Sequence, residues 1–181
     1  MVIQDIYQKT LRYAAEKHAL FQQTLPDSII TYAVHLSNVA MEILVAATYS
    51  KIFDTEFAIQ VALLHDILED TAVTEEELSR IFGSEVTAGV QALTKNKLLP
   101  NHEQMKDSLQ RIKKCVPEVR SVKLADRITN LQEPPVSWTT EKIQNYLQEA
   151  GLILKELRGT NEYLEKRLAL KIEAYTKFIT D

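Results

Sequence analysis

The stretch "VALLHDILEDT" at residues 61–71 joins an apolar run to a group of ionisable side chains. Residues 61–64 have the composition of a helix that enters a protein core, and four ionisable residues follow within six positions. A buried charge beside an apolar run costs several kcal/mol unless something compensates it. The stretch therefore predicts a core helix with a neutralising partner near its end. The four ionisable residues are His65, Asp66, Glu69 and Asp70.

Helical periodicity extends over most of the chain, and alternating strand patterns are scarce. Glycine (4) and proline (5) are few, so long regular elements with short connections are expected. We predict an all-α fold in which residues 1–181 form one compact helical bundle of roughly eight to ten helices, without a linker or an internal repeat. The predicted helices cover about 2–21, 28–49, 55–70, 75–82, 84–93, 101–116, 118–131, 139–157 and 160–179.

One of these helices carries signals at both ends. Thr74 and Glu77 have the spacing of a capping box at its start. Gly83 follows its last apolar residue, where a glycine commonly terminates a helix. The segment "TKNKLLP" at residues 94–100 is predicted to be a loop.

Composition and charge narrow the class of protein. Hydrophobic residues make up 45% of the 181 residues and charged residues 25%, which is typical of a globular domain. The net charge is −4 and no run of Lys and Arg is present, so no nucleic-acid partner is predicted. Neither a signal-peptide layout nor a membrane-spanning apolar run is found, so no membrane partner is predicted. Cys115 is the single cysteine, which suits the reducing cytoplasm.

Two further residues on apolar helices have metal-binding side chains. His35 lies in "TYAVHLSNVA" and Asp126 in "SVKLADRITNL". With His65 and Asp66 they would supply four ligands from three helices. Mixed imidazole and carboxylate ligation suits Mn, Fe or Zn, and an octahedral ion would keep two positions for water and substrate.

Polar residues one helical turn away could support catalysis at such an ion. Glu69 is one turn beyond His65, and Asp70 is one turn beyond Asp66. These carboxylates could orient a water molecule or accept its proton without binding the ion themselves. Asn130, one turn past Asp126, could orient a ligand or the substrate.

Each residue also has a purely structural interpretation. His35 alone could be a core histidine, Asp126 could join a surface ion network, and Glu69 with Asp70 could end a helix in solvent. A metal site accounts for all of them together, and carboxylates at a helix C-terminus would otherwise oppose the helix dipole. His18 and His102 have polar neighbours in the sequence and are predicted to be solvated.

Three parts of the sequence together resemble the hydrolase domain of the RelA/SpoT alarmone enzymes, a family of the HD superfamily. They are His35, "HDILEDT" and "KLADRITNL". The stand-alone small alarmone hydrolases of the metazoan SpoT homologue type are the most similar group. The similarity extends to "FGSEV", "LTKNKLLP" and the C-terminal helices, so the resemblance covers nearly the whole chain.

The resemblance implies Mn²⁺-dependent removal of the 3′-pyrophosphate from ppGpp or pppGpp, a small nucleotide substrate. A chain of 181 residues leaves no room for a synthetase domain, so hydrolysis alone is predicted. The implied roles are metal ligation by His35, His65, Asp66 and Asp126, water activation by Glu69 and Asp70, and substrate binding by Asn130, Lys97, Lys142 and Tyr146.

One segment departs from the family pattern. The family usually has a basic stretch near residues 22–25, where this chain has Gln, Gln, Thr and Leu, whereas Tyr32 is kept. This difference leaves open an alternative substrate, such as the 2′-phosphate of NADPH or another nucleotide phosphate. A nucleotide-binding module with an idle hydrolase site is a third interpretation. The sequence sets neither the metal nor the oligomeric state.

Overall fold

Ten α-helices and a terminal 3₁₀ turn form the regular structure of residues 2–179, which are the residues described by this computed structural model. Within them the one β-bridge, between Thr24 and Thr31, is isolated. The predicted all-α class is therefore confirmed. The helices are α1 (Ile3–Leu20), α2 (Ala33–Thr48), α3 (Thr55–Leu64), α4 (Ile67–Asp70), α5 (Glu75–Phe82), α6 (Ser84–Leu93), α7 (Asn101–Ile112), α8 (Pro117–Asn130), α9 (Thr140–Glu156) and α10 (Glu162–Tyr175), and the 3₁₀ turn is Thr176–Ile179.

Helix α3 lies at the centre of the bundle. Ala58, Ile59 and residues 61–64 have no solvent exposure, so most of this helix is buried. It packs against α1, α2, α6 and α8. The apolar run of the sequence therefore forms part of the core. His65 follows directly at its C-terminal end and is also buried.

The helix predicted over 55–70 is interrupted in the structure. Helix α3 ends at Leu64, and α4 begins at Ile67 after a turn formed by His65 and Asp66. The carbonyl oxygen of Asp66 accepts hydrogen bonds from the amides of Glu69 and Asp70, at 3.1 and 2.9 Å, so Asp66 caps a new turn of helix. The prediction of a single helix was wrong because the periodicity of the apolar residues continues through the break.

The helix predicted from residue 28 begins later, at Ala33. Residues 23–32 instead form a short antiparallel hairpin, in which the amide of Leu25 donates to the carbonyl of Ile30 at 2.8 Å and the amide of Tyr32 donates to that of Gln23 at 3.2 Å. This segment is called the 23–32 hairpin below. It carries Tyr32 to the start of α2, immediately before the turn that holds His35.

The ends of α5 agree with the sequence signals, with one difference. Thr74 Oγ1 accepts the amide of Glu77 at 3.2 Å, and Gly83 has φ of 89° after the last residue of the helix. The Glu77 carboxylate, however, accepts hydrogen bonds from Tyr13 Oη at 2.9 Å and Lys17 Nζ at 2.7 Å. It therefore joins α5 to α1 instead of closing a capping box.

Buried apolar side chains from both ends of the chain belong to one core cluster, which includes Ala14 of α1 and Leu168 of α10. Helices α8, α9 and α10 close the bundle around α2 and α3. Across residues 2–179, no helix is both long enough and apolar enough to cross a membrane.

Two glycines within helices give a matched test of this packing. A Cβ on Gly89 of α6 would lie 3.1 Å from Val61 Cγ2 and 3.2 Å from Val119 Cγ2, whereas one on Gly151 of α9 would meet no atom within 4 Å. We expect Gly89→Ala to lower the free energy of unfolding by about 1 kcal/mol, because overpacking outweighs the gain in helix propensity. Gly151→Ala should raise it by about 0.5–1 kcal/mol. Thermal unfolding of both variants measures the difference, and stabilisation by Gly89→Ala would contradict the close packing of α6 on α3 and α8.

Candidate metal centre and active site

The four side chains predicted to bind a metal come together from three parts of the fold. His35 lies on α2, His65 and Asp66 form the turn between α3 and α4, and Asp126 lies on α8. The Nε2 atoms of the two histidines are 3.4 Å apart. His65 Nε2 lies 2.9 Å from Asp66 Oδ2 and 3.7 Å from Asp126 Oδ1, and His35 Nε2 lies 3.9 and 3.5 Å from the same oxygens.

These separations fit a single divalent ion. Two ligand atoms about 2.1 Å from one ion lie about 3.0 Å apart at a right angle and about 3.4 Å apart at a tetrahedral angle. The five measured distances run from 2.9 to 3.9 Å, so they bracket both values. One ligand atom each from His35, His65 and Asp126 lies within 4.8 Å of the other two, and all three residues are buried. His35, His65 and Asp126 therefore have the composition and the spacing of a divalent metal site, and Asp66 lies close to both histidines.

Hydrogen bonds behind the imidazoles direct their Nε2 atoms toward the cluster. His65 Nδ1 lies 2.8 Å from the carbonyl oxygen of Ala62, which can only accept, so this nitrogen carries the proton. His35 Nδ1 faces Thr129 Oγ1 at 3.5 Å, and that hydroxyl donates to the carbonyl of Asp126. With Nδ1 as the protonated nitrogen, each ring can present an Nε2 lone pair to a metal ion once any proton on Nε2 has left.

Asp126 is held by two donors besides the histidines. Lys123 Nζ lies 3.0 Å from Oδ2, and Asn130 Nδ2 donates to Oδ1 at 2.6 Å. Burial raises the pKa of Asp126, but the charge of Lys123 and the bonds from His35 and His65 outweigh it and hold the pKa well below its usual range. The carboxylate is therefore ionised although it is buried.

The charge of the two carboxylates also affects His65. Burial lowers the pKa of His65, but Asp66 and Asp126 outweigh this effect and raise it well above the ordinary value. The pKa of Asp66 is correspondingly lowered, because the interaction with His65 exceeds the effect of burial. The cluster attracts positive charge, and either a proton or a metal ion can supply it.

Glu69 and Asp70 lie beside this cluster on α4 and line the same cavity. Glu69 is tied to the loop after α6, since its carboxylate accepts from the amide of Lys95 at 3.1 Å and from Lys95 Nζ at 3.3 Å. Lys97 Nζ donates to the backbone carbonyl of Glu69 at 2.7 Å. The loop thus fixes Glu69 from both its side chain and its backbone.

The cavity over the cluster has a volume of about 640 Å³ and is lined by four cationic and five acidic side chains. Arg127 lies 4.0 Å from the centre of the Tyr146 ring, and Lys142 Nζ lies 4.3 Å from that of Trp138. An aromatic ring beside a cation is a surface on which a sugar or base can pack while a phosphate is neutralised. The cations that line the cavity are Lys95, Lys123, Arg127 and Lys142.

A second cavity of about 510 Å³ adjoins the first. The two share Asn130 and Tyr146, and His35 forms part of the wall of the second. Its lining residues include Leu25 and Ile30 of the 23–32 hairpin but neither Lys nor Arg. The first cavity thus has Lys and Arg beside its carboxylates, whereas the second has Glu133 and no Lys or Arg in its lining.

Three of the four residues predicted to bind the substrate line the first cavity, and Lys97 does not. Asn130, Lys142 and Tyr146 line the first cavity, whereas the Lys97 amine is directed at the Glu69 carbonyl and Lys95 lines the cavity instead. The sequence of the loop after α6 does not show whether Lys95 or Lys97 faces the cavity.

Other residues at the site were not found from the sequence. Arg127 and Lys123 are both buried at the site, although neither was predicted to belong to it. Tyr32 donates a hydrogen bond to Asp66 Oδ2, and burial together with the charge of Asp66 raises its pKa, so the phenol stays protonated. The prediction that His18 is solvated was wrong: it is 1% exposed, because α1 packs its last turn against the 23–32 hairpin.

Comparison with known proteins identifies the family of this chain. The HD domain family matches residues 10–161. The guanosine-3′,5′-bis(diphosphate) 3′-pyrophosphohydrolase MESH1 of Danio rerio is 36% identical over 164 residues, which cover 88% of each chain. MESH1 of Homo sapiens is 32% identical over 160 residues, covering 86% of this chain and 87% of that one.

A solved structure described as "A metazoan ortholog of SpoT hydrolyzes ppGpp and plays a role in starvation responses" superposes with a TM-score of 0.82 at 30% identity. The match covers 97% of both chains. These similarities confirm the resemblance found in the motifs. The chain belongs to the HD domain family, in the group that contains the MESH1 proteins.

Proposed function

We propose that this chain is a metal-dependent phosphohydrolase that removes the 3′-pyrophosphate of (p)ppGpp, and that its 181 residues act as one HD domain. The observation that carries the proposal is a cluster of two buried imidazoles and two carboxylates beside a cavity whose lining includes four cations. Lys and Arg side chains in this lining suit a substrate with several phosphates. The relatives named for guanosine-3′,5′-bis(diphosphate) hydrolysis support the same substrate.

The ion would be held by His35, His65, Asp66 and Asp126, and we propose Mn²⁺ as the ion in the cell. Mixed nitrogen and oxygen ligation favours a first-row divalent ion. When bound, such an ion lowers the pKa of water and offsets negative charge on phosphoryl oxygens.

Asp70 is the proposed general base, and Glu69 orients the water with it. Burial raises the pKa of Asp70 to about 6, and the charges of Asp66 and Glu69 contribute further. A base with a pKa near neutral is effective in proton transfer and still ionised at pH 7. The bonds from Lys95 hold Glu69 in place beside it.

The substrate would extend across both cavities. Lys142, Lys95 and Arg127 would neutralise the phosphates in the first cavity, and Asn130 would hydrogen-bond the substrate where the cavities meet. Tyr146 offers its ring to the nucleoside at the same junction. Lys97 would act on this arrangement through the Glu69 carbonyl.

The cellular context proposed is the cytoplasm, with a small nucleotide as the partner and neither nucleic acid nor membrane. The single cysteine, Cys115, suits a reducing compartment, and the net charge of −4 disfavours a nucleic-acid backbone.

One observation favours a second substrate class. The second cavity has Glu133 but no Lys or Arg in its lining, so no cation there would hold a terminal 5′-diphosphate or triphosphate. Hydrolysis of another nucleotide phosphate, such as the 2′-phosphate of NADPH, is the alternative that this feature supports. Separation of the products after incubation of the Mn-loaded protein with ppGpp, pppGpp, NADPH and ordinary nucleotides distinguishes the two, and release of pyrophosphate from ppGpp is the expected result.

Separate roles for ligands and base predict separate mutant phenotypes. Glu69→Gln and Asp70→Asn should keep the metal and lose activity by roughly 10²–10⁴-fold, the usual size of an acid–base contribution. Asp126→Ala should lose the metal. Metal analysis of the purified variants, paired with pyrophosphate release, checks both. An equal loss of metal from all three would contradict this division of roles.

The raised pKa of Asp70 also predicts a pH-dependent stability difference. The folded pKa of about 6 exceeds the value of 3.8 expected for an unfolded chain, so the folded protein is destabilised as pH rises from about 4 to about 6. In metal-free protein, Asp70→Asn should therefore be more stable than wild type above pH 6, by on the order of 1 kcal/mol for a half-exposed group, and should lose this advantage below pH 4. Thermal unfolding across pH measures it, and a pH-independent difference would contradict it.

The neutral 22–25 segment predicts weak ground-state binding of ppGpp. A charged contact to phosphate contributes about 1.5–3 kcal/mol, or roughly 10–150-fold in affinity. We expect a high KM, which Thr24→Arg with Leu25→Lys should lower while kcat stays nearly constant. Lys142→Met should raise KM in the wild-type background. Low-micromolar KM values that do not respond to either change would contradict this assignment.

A further inference from the structure

The Asp66 carboxylate has one hydrogen-bonding neighbour besides the histidines. Its Oδ2 atom lies 2.9 Å from His65 Nε2 and accepts the phenol of Tyr32. Within residues 2–179, Tyr32 and the histidines are the only side chains that form a hydrogen bond or an ion pair with this carboxylate. Tyr32 thus supplies the one neutral donor that can fix how Asp66 is turned.

The Tyr32 ring contacts two imidazoles. The His35 ring centre lies 5.1 Å from that of Tyr32, and the His18 ring centre lies 4.9 Å away at an interplanar angle of 33°. His18 is 1% exposed and burial lowers its pKa, so the ring is neutral. A neutral, buried ring is a fixed surface against which the phenol can pack.

Gln23 completes this support. Its side-chain oxygen bonds His18 Nδ1, and because an amide oxygen can only accept, Nδ1 carries the proton. Backbone hydrogen bonds join the same three residues. The amide of Gln23 donates to the carbonyl of His18 at 3.3 Å, and the amide of Tyr32 donates to the carbonyl of Gln23 at 3.2 Å. Three residues from α1, the hairpin and the start of α2 are therefore joined by side-chain and backbone bonds.

We propose that Tyr32, supported by His18 and Gln23, is a positioning unit that sets the orientation of the Asp66 carboxylate for metal binding. The inference rests on the metal-binding part of the proposed function and not on the identity of the substrate. It also offers a structural reason for an uncharged residue within the 22–25 segment. The Gln23 side chain is directed at His18, and through His18 it supports the Tyr32 ring that bonds Asp66.

The removal of one oxygen atom tests the unit. Tyr32→Phe keeps the ring and its packing but loses the bond to Asp66. We expect the Kd for Mn²⁺ to rise about 10–100-fold, the range found when a group that orients a metal ligand is lost. The visible absorption of the Co²⁺-substituted protein should also change, because the ligand field depends on the orientation of Asp66. Competition with a chelating dye measures the Kd.

Tyr13→Phe is the matched control. Tyr13 also donates its phenol to a carboxylate, that of Glu77 at 2.9 Å, but at the contact between α1 and α5. It should change the melting temperature without changing the Mn²⁺ affinity or the Co²⁺ spectrum. A Tyr32→Phe protein that binds Mn²⁺ within twofold of wild type would overturn the proposal.

Supporting residues are tested by a double-mutant cycle. Gln23→Leu and His18→Leu should each weaken Mn²⁺ binding less than Tyr32→Phe does. Gln23→Leu combined with Tyr32→Phe should bind as weakly as Tyr32→Phe alone, because both changes act on the same carboxylate. Fully additive losses would overturn the unit. Gln23 is half-buried, so its variant serves if His18→Leu does not fold.

The outcomes separate this inference from the proposed activity. A wild-type protein that binds Mn²⁺ but leaves ppGpp intact would contradict the substrate and leave the positioning unit supported by its own affinity data. A wild-type protein that binds no Mn²⁺ or Co²⁺ would overturn both.

Discussion

Two ionised carboxylates placed next to the apolar centre of a helical bundle are the constraint on which the rest of the site depends. Asp66 and Asp126 lie close to His65 at the C-terminal end of α3, where residues 61–64 have no solvent exposure. Charges in this position are tolerated only if positive charge and hydrogen-bond donors surround them. Lys123, the two imidazoles and the Tyr32 phenol meet part of that requirement, and a divalent ion bound there would meet the remainder.

Periodicity and residue type were sufficient to predict the helical class and the cluster itself. A buried helix is recognisable from its apolar run, and a bound ion accounts at once for four metal-binding side chains on apolar segments. The capping signals of α5 were readable for the same reason, because Thr74 and Gly83 act within a few residues of the chain. Features determined by local sequence were therefore predictable.

Features determined by contacts distant in sequence were not. The turn at His65 and Asp66 interrupts a helix without changing its apolar pattern, so periodicity could not reveal it. The burial of His18 depends on a hairpin that folds back over the end of α1, although its neighbours in sequence are polar. Likewise, the inward direction of Lys95 depends on a loop held by Glu69, a residue 26 positions away.

The separation between the apolar core and the cluster bears on how a site of this kind would be filled. In many small metal-binding domains the binding free energy of the ion is also the folding free energy, so the apo chain is unfolded. Here one core cluster of apolar side chains extends from α1 to α10 without the metal-binding residues. The polypeptide would thus fold before an ion arrives, and the local supply of metal would then decide what fraction of the folded molecules is loaded.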